Sequence, residues 1–219
     1  MKKIILITIS LCFFLNVNAQ RKKSQKYDLK SSQLSGLKFR SVGPAFMSGR
    51  IADIAINPEN ENEWYVAVGS GGVWKTSNSG TTWTPIADDQ PFYSTGSITI
   101  DPHNSSKIWL GTGENVGGRH VGIGHGVYMS ENGGKKWKDM GLKFSEHISK
   151  IIVSPNDPNL VFVASQGPLW SPGGDRGLFR STNGGEDWEN VLSVNEWTGV
   201  TDIVIDHNNP STLYAATWQ

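Results

Sequence analysis

Two irregular stretches of the sequence, with the shorter connections beside them, hold the side chains best suited to chemistry. They are Glu114, Arg119, His120 and His125 in "GENVGGRHVGIGHG" (113–126), Trp170, Asp175 and Arg176 in "QGPLWSPGGDRG" (166–177), and His147 and Trp197 in neighbouring connections. Aromatic rings beside carboxylates and arginine suit a sugar, because the apolar face of a sugar stacks on a ring while its hydroxyls form hydrogen bonds. The alternative is that these residues only stabilise their loops.

Other kinds of site lack the residues they need. His120 and His125 stand in a glycine-rich loop without helical spacing or an evident third ligand, so we expect no metal. The run "GTGENVGG" (111–118) is unlike a phosphate-binding loop, because it lacks the Lys-Ser/Thr ending and a following helix. The single cysteine, Cys12, lies in an N-terminal apolar run, and no serine nucleophile motif is present. We expect no cofactor.

A recurring octet gives the first indication of the elements that position these loops. Its copies are "TSNSGTTW" (76–83), "SENGGKKW" (130–137) and "STNGGEDW" (181–188), whose tryptophans stand 54 and 51 residues apart. Such regular spacing predicts a repeated supersecondary unit. The hydroxyl and asparagine residues favour a turn, and the fifth-position glycine can adopt a positive φ without a Cβ clash.

Strand-like runs flank each octet. Runs such as "RIADIAINPEN" (50–60) alternate apolar residues and end at proline or asparagine, which is typical of half-buried strands. Runs such as "EWYVAVGS" (63–70) are rich in β-branched and aromatic residues, which favours buried strands. The sequence therefore predicts four short antiparallel strands in each unit. Four-stranded sheets can bury both of their faces when they stack radially as the blades of a β-propeller.

The expected fold is thus an all-β propeller of four-stranded antiparallel blades. We predict blades at 38–88, 92–142 and 146–194, and the start of a truncated fourth blade at 198–219. On this interpretation the chain is the N-terminal fragment of a larger propeller, and the remaining blades of the full-length chain are its partners.

The octets resemble the Asp-box, the bacterial neuraminidase (BNR) repeat found in sialidases, xyloglucanase-type glycoside hydrolases and sortilin. The wider phrases "LKFRSVGPAFMSGRIADIAINP" (37–58) and "YVAVGSGGVWKTSNSGTTW" (65–83) resemble large exported sortilin-like or xyloglucanase-like propellers of bacteria. In these families the Asp-box lies on a hairpin away from the ligand face. The resemblance therefore implies a structural role for Ser77, Asn78, Gly80, Trp83, Ser130, Asn132, Gly134, Trp137, Ser181, Asn183, Gly185 and Trp188.

The opposite face carries the second-to-third-strand connections and the links between blades, where propellers usually meet their ligands. The resemblance implies a polysaccharide or glycan ligand there, and it leaves catalysis undecided. Aligned on Gly71-Gly72, Gly69 stands where the xyloglucanase family has a catalytic aspartate. Glu114 and Asp175 are the candidate substitutes, although Glu114 could instead pair with Arg119. The alternative function is a sortilin-like propeller that binds a peptide or protein without catalysis.

The N-terminus predicts export. Lys2 and Lys3 precede an apolar run too short to span a bilayer well, and Val17-Asn18-Ala19 favours cleavage, so residues 1–19 are expected to be a signal peptide. Retention as an uncleaved anchor is the alternative. The mature protein is expected in the periplasm, at the cell surface or secreted from a bacterial envelope, without a membrane span. Residues 20–37 predict a flexible lead-in, and a formal charge of +0 gives no indication of a nucleic-acid partner.

Overall fold

The computed structural model describes residues 30–37, 49–115, 121–206 and 208–219. The predicted signal peptide, Arg119 and His120 lie outside these residues. The chain divides into two compact units, Met1–Ala45 and Phe46–Gln219. In the first unit, the described residues contain a short 3-10 helix, Ser31–Leu34, within the segment that was expected to be flexible. Among the described residues, no helix has the length and apolar character needed to cross a bilayer.

The described residues of the second unit form fourteen strands in antiparallel sheets, and the strands of each sheet are ordered as in the sequence. The first sheet contains β1 Ile51–Ile56, β2 Trp64–Val68, β3 Gly72–Thr76 and β4 Thr84–Pro85. The second contains β5 Thr95–Asp101, β6 Asn104–Thr112, β7 Val127–Ser130 and β8 Lys138–Asp139. The third contains β9 Ile148–Ser154, β10 Asp157–Ser165, β11 Gly177–Ser181 and β12 Glu189–Leu192, and the fourth contains β13 Gly199–Ile205 and β14 Leu213–Trp218.

The sheets stand side by side with their first strands adjacent, β1 against β5, β5 against β9 and β9 against β13. Side chains tie these strands to the next sheet. The Thr99 hydroxyl donates to the Ile151 carbonyl at 2.8 Å, and the backbone N–H of Ile98 donates to the Asp53 carboxylate at 3.0 Å. Such bonds matter because the free edge of a first strand would otherwise carry unpaired backbone groups.

A hydrophobic core fills each space between neighbouring sheets. Tyr65 and Leu110 belong to the core between the first and second sheets, and Trp109 and Val163 belong to the core between the second and third. The second strands of the first three sheets are largely buried, as their β-branched and aromatic content predicts. The same expectation is wrong for β14, which is largely exposed because no further strand or sheet covers it among the described residues. The sheets are therefore stabilised by stacking on one another, since none of them could cover its own two faces.

Each octet forms the turn between the third and fourth strands of its sheet. The hydroxyl of Ser130 accepts a hydrogen bond from the Gly134 N–H at 2.9 Å, and the Asn132 side-chain oxygen accepts one from the Lys136 N–H at 2.8 Å. The same two bonds occur in the other octets. The fifth-position glycines have φ values of 84°, 86° and 89°, in the left-handed region that favours glycine.

The first octet corrects one residue of the sequence interpretation. The turn hydroxyl belongs to Thr76, which accepts the Gly80 N–H at 3.0 Å, and not to Ser77. The reason is the register of the turn, because Thr76 lies two residues before Asn78, as Ser130 lies two residues before Asn132. Ser77 is exposed.

The tryptophans of the second and third octets connect their sheets to the preceding one. The indole N–H of Trp137 donates to the Ile86 carbonyl at 3.1 Å, and that of Trp188 donates to the Met140 carbonyl at 2.6 Å. The octet glycine lies against the same neighbour, because a Cβ on Gly134 would stand 2.3 Å from the Ile86 side chain. The octet is thus a junction between sheets as well as a turn.

Converting the octet asparagine into aspartate should lower stability in the third octet but not in the second. The Asn183 amide donates to the Asp187 carboxylate at 3.0 Å, whereas the residue at the equivalent position of the second octet is Lys136. We expect Asn183→Asp to lower the free energy of unfolding by about 0.5–1 kcal/mol through carboxylate repulsion, and Asn132→Asp to leave it unchanged or higher. Urea unfolding at low salt measures both. Equal effects in the two variants, or no relief at high salt, would contradict the electrostatic explanation.

Candidate functional site

Backbone hydrogen bonds divide the connections between two faces, as the sequence predicted. On one face each octet bonds to the turn after the first strand or to the start of the second strand, for example Gly133 N–H to the Ser106 carbonyl of β6 at 2.8 Å. On the other, which we call the loop face, the links between sheets bond to the second-to-third-strand loops. Examples are Gly72 N–H to the Tyr93 carbonyl at 2.9 Å and Gly124 N–H to the Glu146 carbonyl at 2.8 Å. The predicted ligand residues within the described part of the chain all lie on the loop face.

Glu114 is the buried carboxylate of the loop face, with 2% of its side chain exposed. It forms an ion pair with Arg50, which precedes β1, and accepts a hydrogen bond from the Ser70 hydroxyl at 3.0 Å. The sequence analysis left open a pairing with Arg119, which lies outside the described residues; within them, the cation beside Glu114 is Arg50. Both oxygens of the Glu114 carboxylate are therefore engaged by residues of the neighbouring sheet.

The Glu114 side chain lies beside Gly69, the position at which the sequence resemblance expects an aspartate. A Cβ added at Gly69 would stand 2.6 Å from one Glu114 carboxylate oxygen and 2.9 Å from its Cγ. Cβ atoms do not tolerate contacts this short, so one side chain must move if both are present. The carboxylate of Glu114 thus occupies the space that a side chain at position 69 would need.

His147 extends this network toward the third sheet. Its Nδ1–H donates to the Glu114 carbonyl at 2.9 Å, and the imidazole is buried. Burial lowers the pKa of His147, and the hydrogen bond and the nearby Glu146 and Glu114 charges oppose that shift only in part. The lowered pKa favours a neutral imidazole, which donates a hydrogen bond that joins two sheets. No carboxylate of the described residues is hydrogen-bonded to the ring, so these residues give His147 no partner of the kind that orients a general base.

Arg176 organises the loop between β10 and β11. Its five N–H donors point to five backbone carbonyls, those of Gln166, Pro168, Ser171, Gly173 and Trp197. Four of these belong to the loop, and the carbonyl of Trp197 belongs to the link that leads to β13. Burial lowers the pKa of Arg176 from its ordinary value, with the Glu146 charge acting in the opposite direction. All N–H donors of the Arg176 guanidinium form hydrogen bonds, so Arg176 holds the loop and the link together, and none of its donors remains available to bind a ligand.

The loop and link held by Arg176 border a groove of about 280 Å³ that we call the tryptophan groove. Its lining consists of Gln166, Pro168, Leu169, Trp170, Arg176, Trp197, Thr201, Trp218 and Gln219. Trp170 is 73% exposed and Trp197 is 43% exposed, so large parts of both indole rings are open to solvent. Among the described residues that line it, Arg176 is the sole charged side chain. The groove is consequently aromatic and almost uncharged.

A second and larger groove, of about 960 Å³, lies on the other side of the same loop, and we call it the acidic groove. Its lining consists of Pro91, Ile123, Gly124, His125, Tyr128, Asp139, Lys143, Phe144, Glu146, Pro168, Gly174 and Asp175. The described residues of this lining combine three carboxylates and one lysine with exposed apolar side chains. Of the residues predicted from sequence, His125 and Asp175 lie here, Trp170, Trp197 and Arg176 border the tryptophan groove, and Glu114 and His147 form the buried network.

Several residues of the loop face escaped the sequence analysis. Arg50 and Ser70 were missed because their contact with Glu114 joins different sheets, and nothing in their local sequence signals it. Glu146 was missed because a left-handed backbone conformation, here with φ of 53°, is uncommon for glutamate and is not predicted by the sequence. Among the described residues, no group of three or more histidine, cysteine, aspartate or glutamate side chains is arranged to hold a metal ion.

Comparisons with solved structures place this arrangement in a known architecture. An ancestral GH74 enzyme matches with a TM-score of 0.58 and 22% identity, over 77% of this chain and 22% of that enzyme. The GH74 enzyme of Niastella koreensis matches with a TM-score of 0.57 and 22% identity, over 76% of this chain and 26% of that enzyme. The fold is that of a β-propeller. The sheets described above are its blades.

Curated sequences that resemble this chain are also xyloglucanases. The oligoxyloglucan-reducing end-specific xyloglucanase of Emericella nidulans is 21% identical over 175 residues, which cover 76% of this chain and 21% of that enzyme. A xyloglucanase of Acetivibrio thermocellus is 24% identical over 179 residues, or 75% of this chain and 20% of that enzyme. The chain thus spans about a fifth of the length of these relatives. No family model matches the chain.

Proposed function

We propose that this protein binds a polysaccharide or glycan on the loop face of its propeller, in the tryptophan groove. The observation that carries the proposal is the pair of exposed indole rings, Trp170 and Trp197, on segments that Arg176 fixes to each other. Sugar rings stack on such surfaces, and a platform that is already ordered costs little conformational entropy when a ligand binds. The sequence similarity to xyloglucanases supports a carbohydrate ligand.

Binding has better support than hydrolysis among the described residues. Glycoside hydrolysis generally uses two carboxyl groups that reach the scissile bond from opposite sides. Glu114 is buried and engaged by Arg50 and Ser70, and one oxygen of Asp175 accepts the Phe144 N–H at 2.9 Å. Gly69 offers no carboxylate. We therefore assign Glu114 to the structure of the loop face and assign no catalytic role to Asp175.

Substituting the exposed tryptophan of the groove should weaken glycan binding. We expect Trp170→Ala to raise the dissociation constant for xyloglucan oligosaccharides, or for the glycan that a screening array identifies, about tenfold, because it removes a stacking surface. Isothermal titration calorimetry measures the change. The matched control is Trp83→Ala, which removes a tryptophan that is 37% exposed on the opposite face. An unchanged constant in Trp170→Ala, or an equal loss in the control, would contradict the location of the site.

We also propose that the protein acts outside the cytoplasm of a bacterial cell, in the periplasm, at the surface or in the medium. The basis is the sequence of residues 1–19, with its basic start, apolar run and small-residue ending. A polysaccharide ligand fits this location, since such polymers are encountered outside the cell. N-terminal sequencing of the exported protein tests it, and a mature chain that begins at Gln20 is expected.

A further inference from the structure

We propose that the acidic groove is a second binding site, which takes a basic peptide segment with apolar side chains. This site lies between the second and third blades, and the loop that holds Trp170 separates it from the tryptophan groove. Pro168 borders both grooves. The proposal is independent of glycan binding, because it rests on different side chains and a different ligand chemistry.

The charge of the acidic groove is the first observation. Its lining carries Asp139, Glu146 and Asp175 against a single lysine, and that lysine, Lys143, is held by Asp139 at 2.8 Å. No described residue forms an ion pair with Glu146 or Asp175, and Arg176, on which the Glu146 charge acts, directs its N–H donors to backbone carbonyls. No described residue donates a hydrogen bond to the Glu146 side chain, and Asp175 receives one, from the Phe144 backbone. Carboxylates in a partly enclosed groove favour a cationic ligand, since their field is less screened there than on an open surface.

The apolar surface of the groove is the second observation. Phe144 is 73% exposed and Ile123 is 56% exposed, and neither belongs to the packed cores between the blades. Pro91 and Pro168 add further apolar surface. Lysine and arginine side chains combine an aliphatic stem with a charged end, so they can cover such a surface while the charge reaches a carboxylate. Neighbouring apolar residues of a peptide would pack on the Phe144 ring.

The groove is also held in shape before any ligand binds. The N–H of Asp175 donates to the Phe144 carbonyl at 3.0 Å, and the N–H of Gly124 donates to the Glu146 carbonyl at 2.8 Å. These bonds join the link between the blades to the long loop on each side of it. Both walls are therefore fixed to one another, which reduces the conformational entropy that a peptide must overcome on binding.

Other ligand classes fit the acidic groove less well. A nucleic acid would be repelled by its carboxylates. A neutral sugar would partly desolvate Glu146 and Asp175, which have no ion-pair partner among the described residues, and this is unfavourable. The groove volume of about 960 Å³ is much larger than a single small ion, and its apolar walls supply no ligands for an ion. A basic, partly apolar peptide segment uses both the charge and the apolar surface.

The test uses the full chain and a fluorescein-labelled peptide in which lysine alternates with leucine and phenylalanine, with a glutamate-for-lysine peptide as the ligand control. We expect fluorescence anisotropy to show binding of the lysine peptide alone, weakened by added salt. The double variant Glu146→Gln/Asp175→Asn keeps the size and hydrogen-bonding capacity of both side chains. It should raise the dissociation constant roughly three- to thirtyfold, as expected for the loss of two partly exposed charge pairs.

Three further variants make the result specific to the acidic groove. Phe144→Ala should also weaken binding of the lysine peptide, whereas Trp170→Ala in the tryptophan groove should not. Glu131→Gln removes one exposed charge on the opposite face and should have no effect. Circular dichroism melting confirms that each variant is folded. Failure of the lysine peptide to bind, equal binding of the glutamate peptide, or equal loss in Glu131→Gln would each overturn the proposal without affecting the glycan site.

Discussion

Trp137→Ala is expected to lower the free energy of unfolding by about 3 kcal/mol and to leave glycan affinity unchanged. The Trp137 ring packs edge-on against Phe92, with 6.0 Å between ring centroids, and it borders the core between the first and second blades. Its indole N–H also holds the Ile86 carbonyl of the preceding blade. Alanine would remove both the packing and the connection, on the face opposite the proposed glycan site.

The first octet supplies the control for this substitution. Trp83 occupies the same octet position and packs on Trp64 at 6.4 Å between ring centroids, but it is 37% exposed and no described residue accepts a hydrogen bond from its indole N–H. We therefore expect Trp83→Ala to cost clearly less than Trp137→Ala. Urea unfolding and calorimetric titration of both variants separate stability from affinity. Normal stability with lost glycan binding in Trp137→Ala would overturn the structural role of the octet.

The second large effect concerns the space shared by Gly69 and Glu114. Gly69→Asp alone should lower the free energy of unfolding by about 1–3 kcal/mol, because its Cβ would meet the Glu114 carboxylate that Arg50 and Ser70 hold in place. Glu114→Ala alone should cost a similar amount, since it removes a buried carboxylate from its two partners. The double variant should cost at least about 1 kcal/mol less than the sum of the two.

A double-mutant cycle by urea unfolding measures this coupling. Additive costs would show that the two positions do not compete for one space. The double variant has a second use, because it returns a carboxylate to the position at which the resemblance expects the catalytic aspartate. Assays on xyloglucan therefore compare the wild type, Glu114→Gln and the double variant. If the wild type hydrolyses xyloglucan and Glu114→Gln does not, Glu114 takes part in catalysis. This outcome would contradict the structural role proposed above.

The two grooves suggest how one face of a propeller can serve two kinds of ligand. The loop between β10 and β11 separates them, and Arg176 holds that loop from within. On one side the loop presents Trp170 to a nearly uncharged groove, and on the other it presents Asp175 to an acidic one. The uneven lengths of the connections, "GSGG" at 69–72 against the long loops of the next two blades, thus correspond to where the grooves lie.

The sequence predicted the repeated parts of this protein correctly. The octet turns, the positions of the first strands and the buried second strands of the first three blades follow from local rules. β5 and β9 are more buried than the half-buried pattern predicts, and β14 is exposed. A hydroxyl and an asparagine two residues apart bond their own backbone, glycine adopts a left-handed φ, and β-branched runs form strands whatever lies nearby. The misassignment of Ser77 for Thr76 shows the limit of that reasoning, because one residue of register decides which hydroxyl faces the turn.

The candidate site was decided by tertiary structure. Arg50 and Glu114 are 64 residues apart in sequence, and the Arg176 donors reach a carbonyl of the next link 21 residues away. Whether Arg176 faces a ligand or its own backbone, and whether Glu114 is open or ion-paired, depends on how neighbouring blades stack. These contacts form between side chains of different blades. The spacing of residues within one blade does not show which side chains will face each other across the interface between blades. The sequence alone therefore determined the blades, and their packing determined the grooves between them.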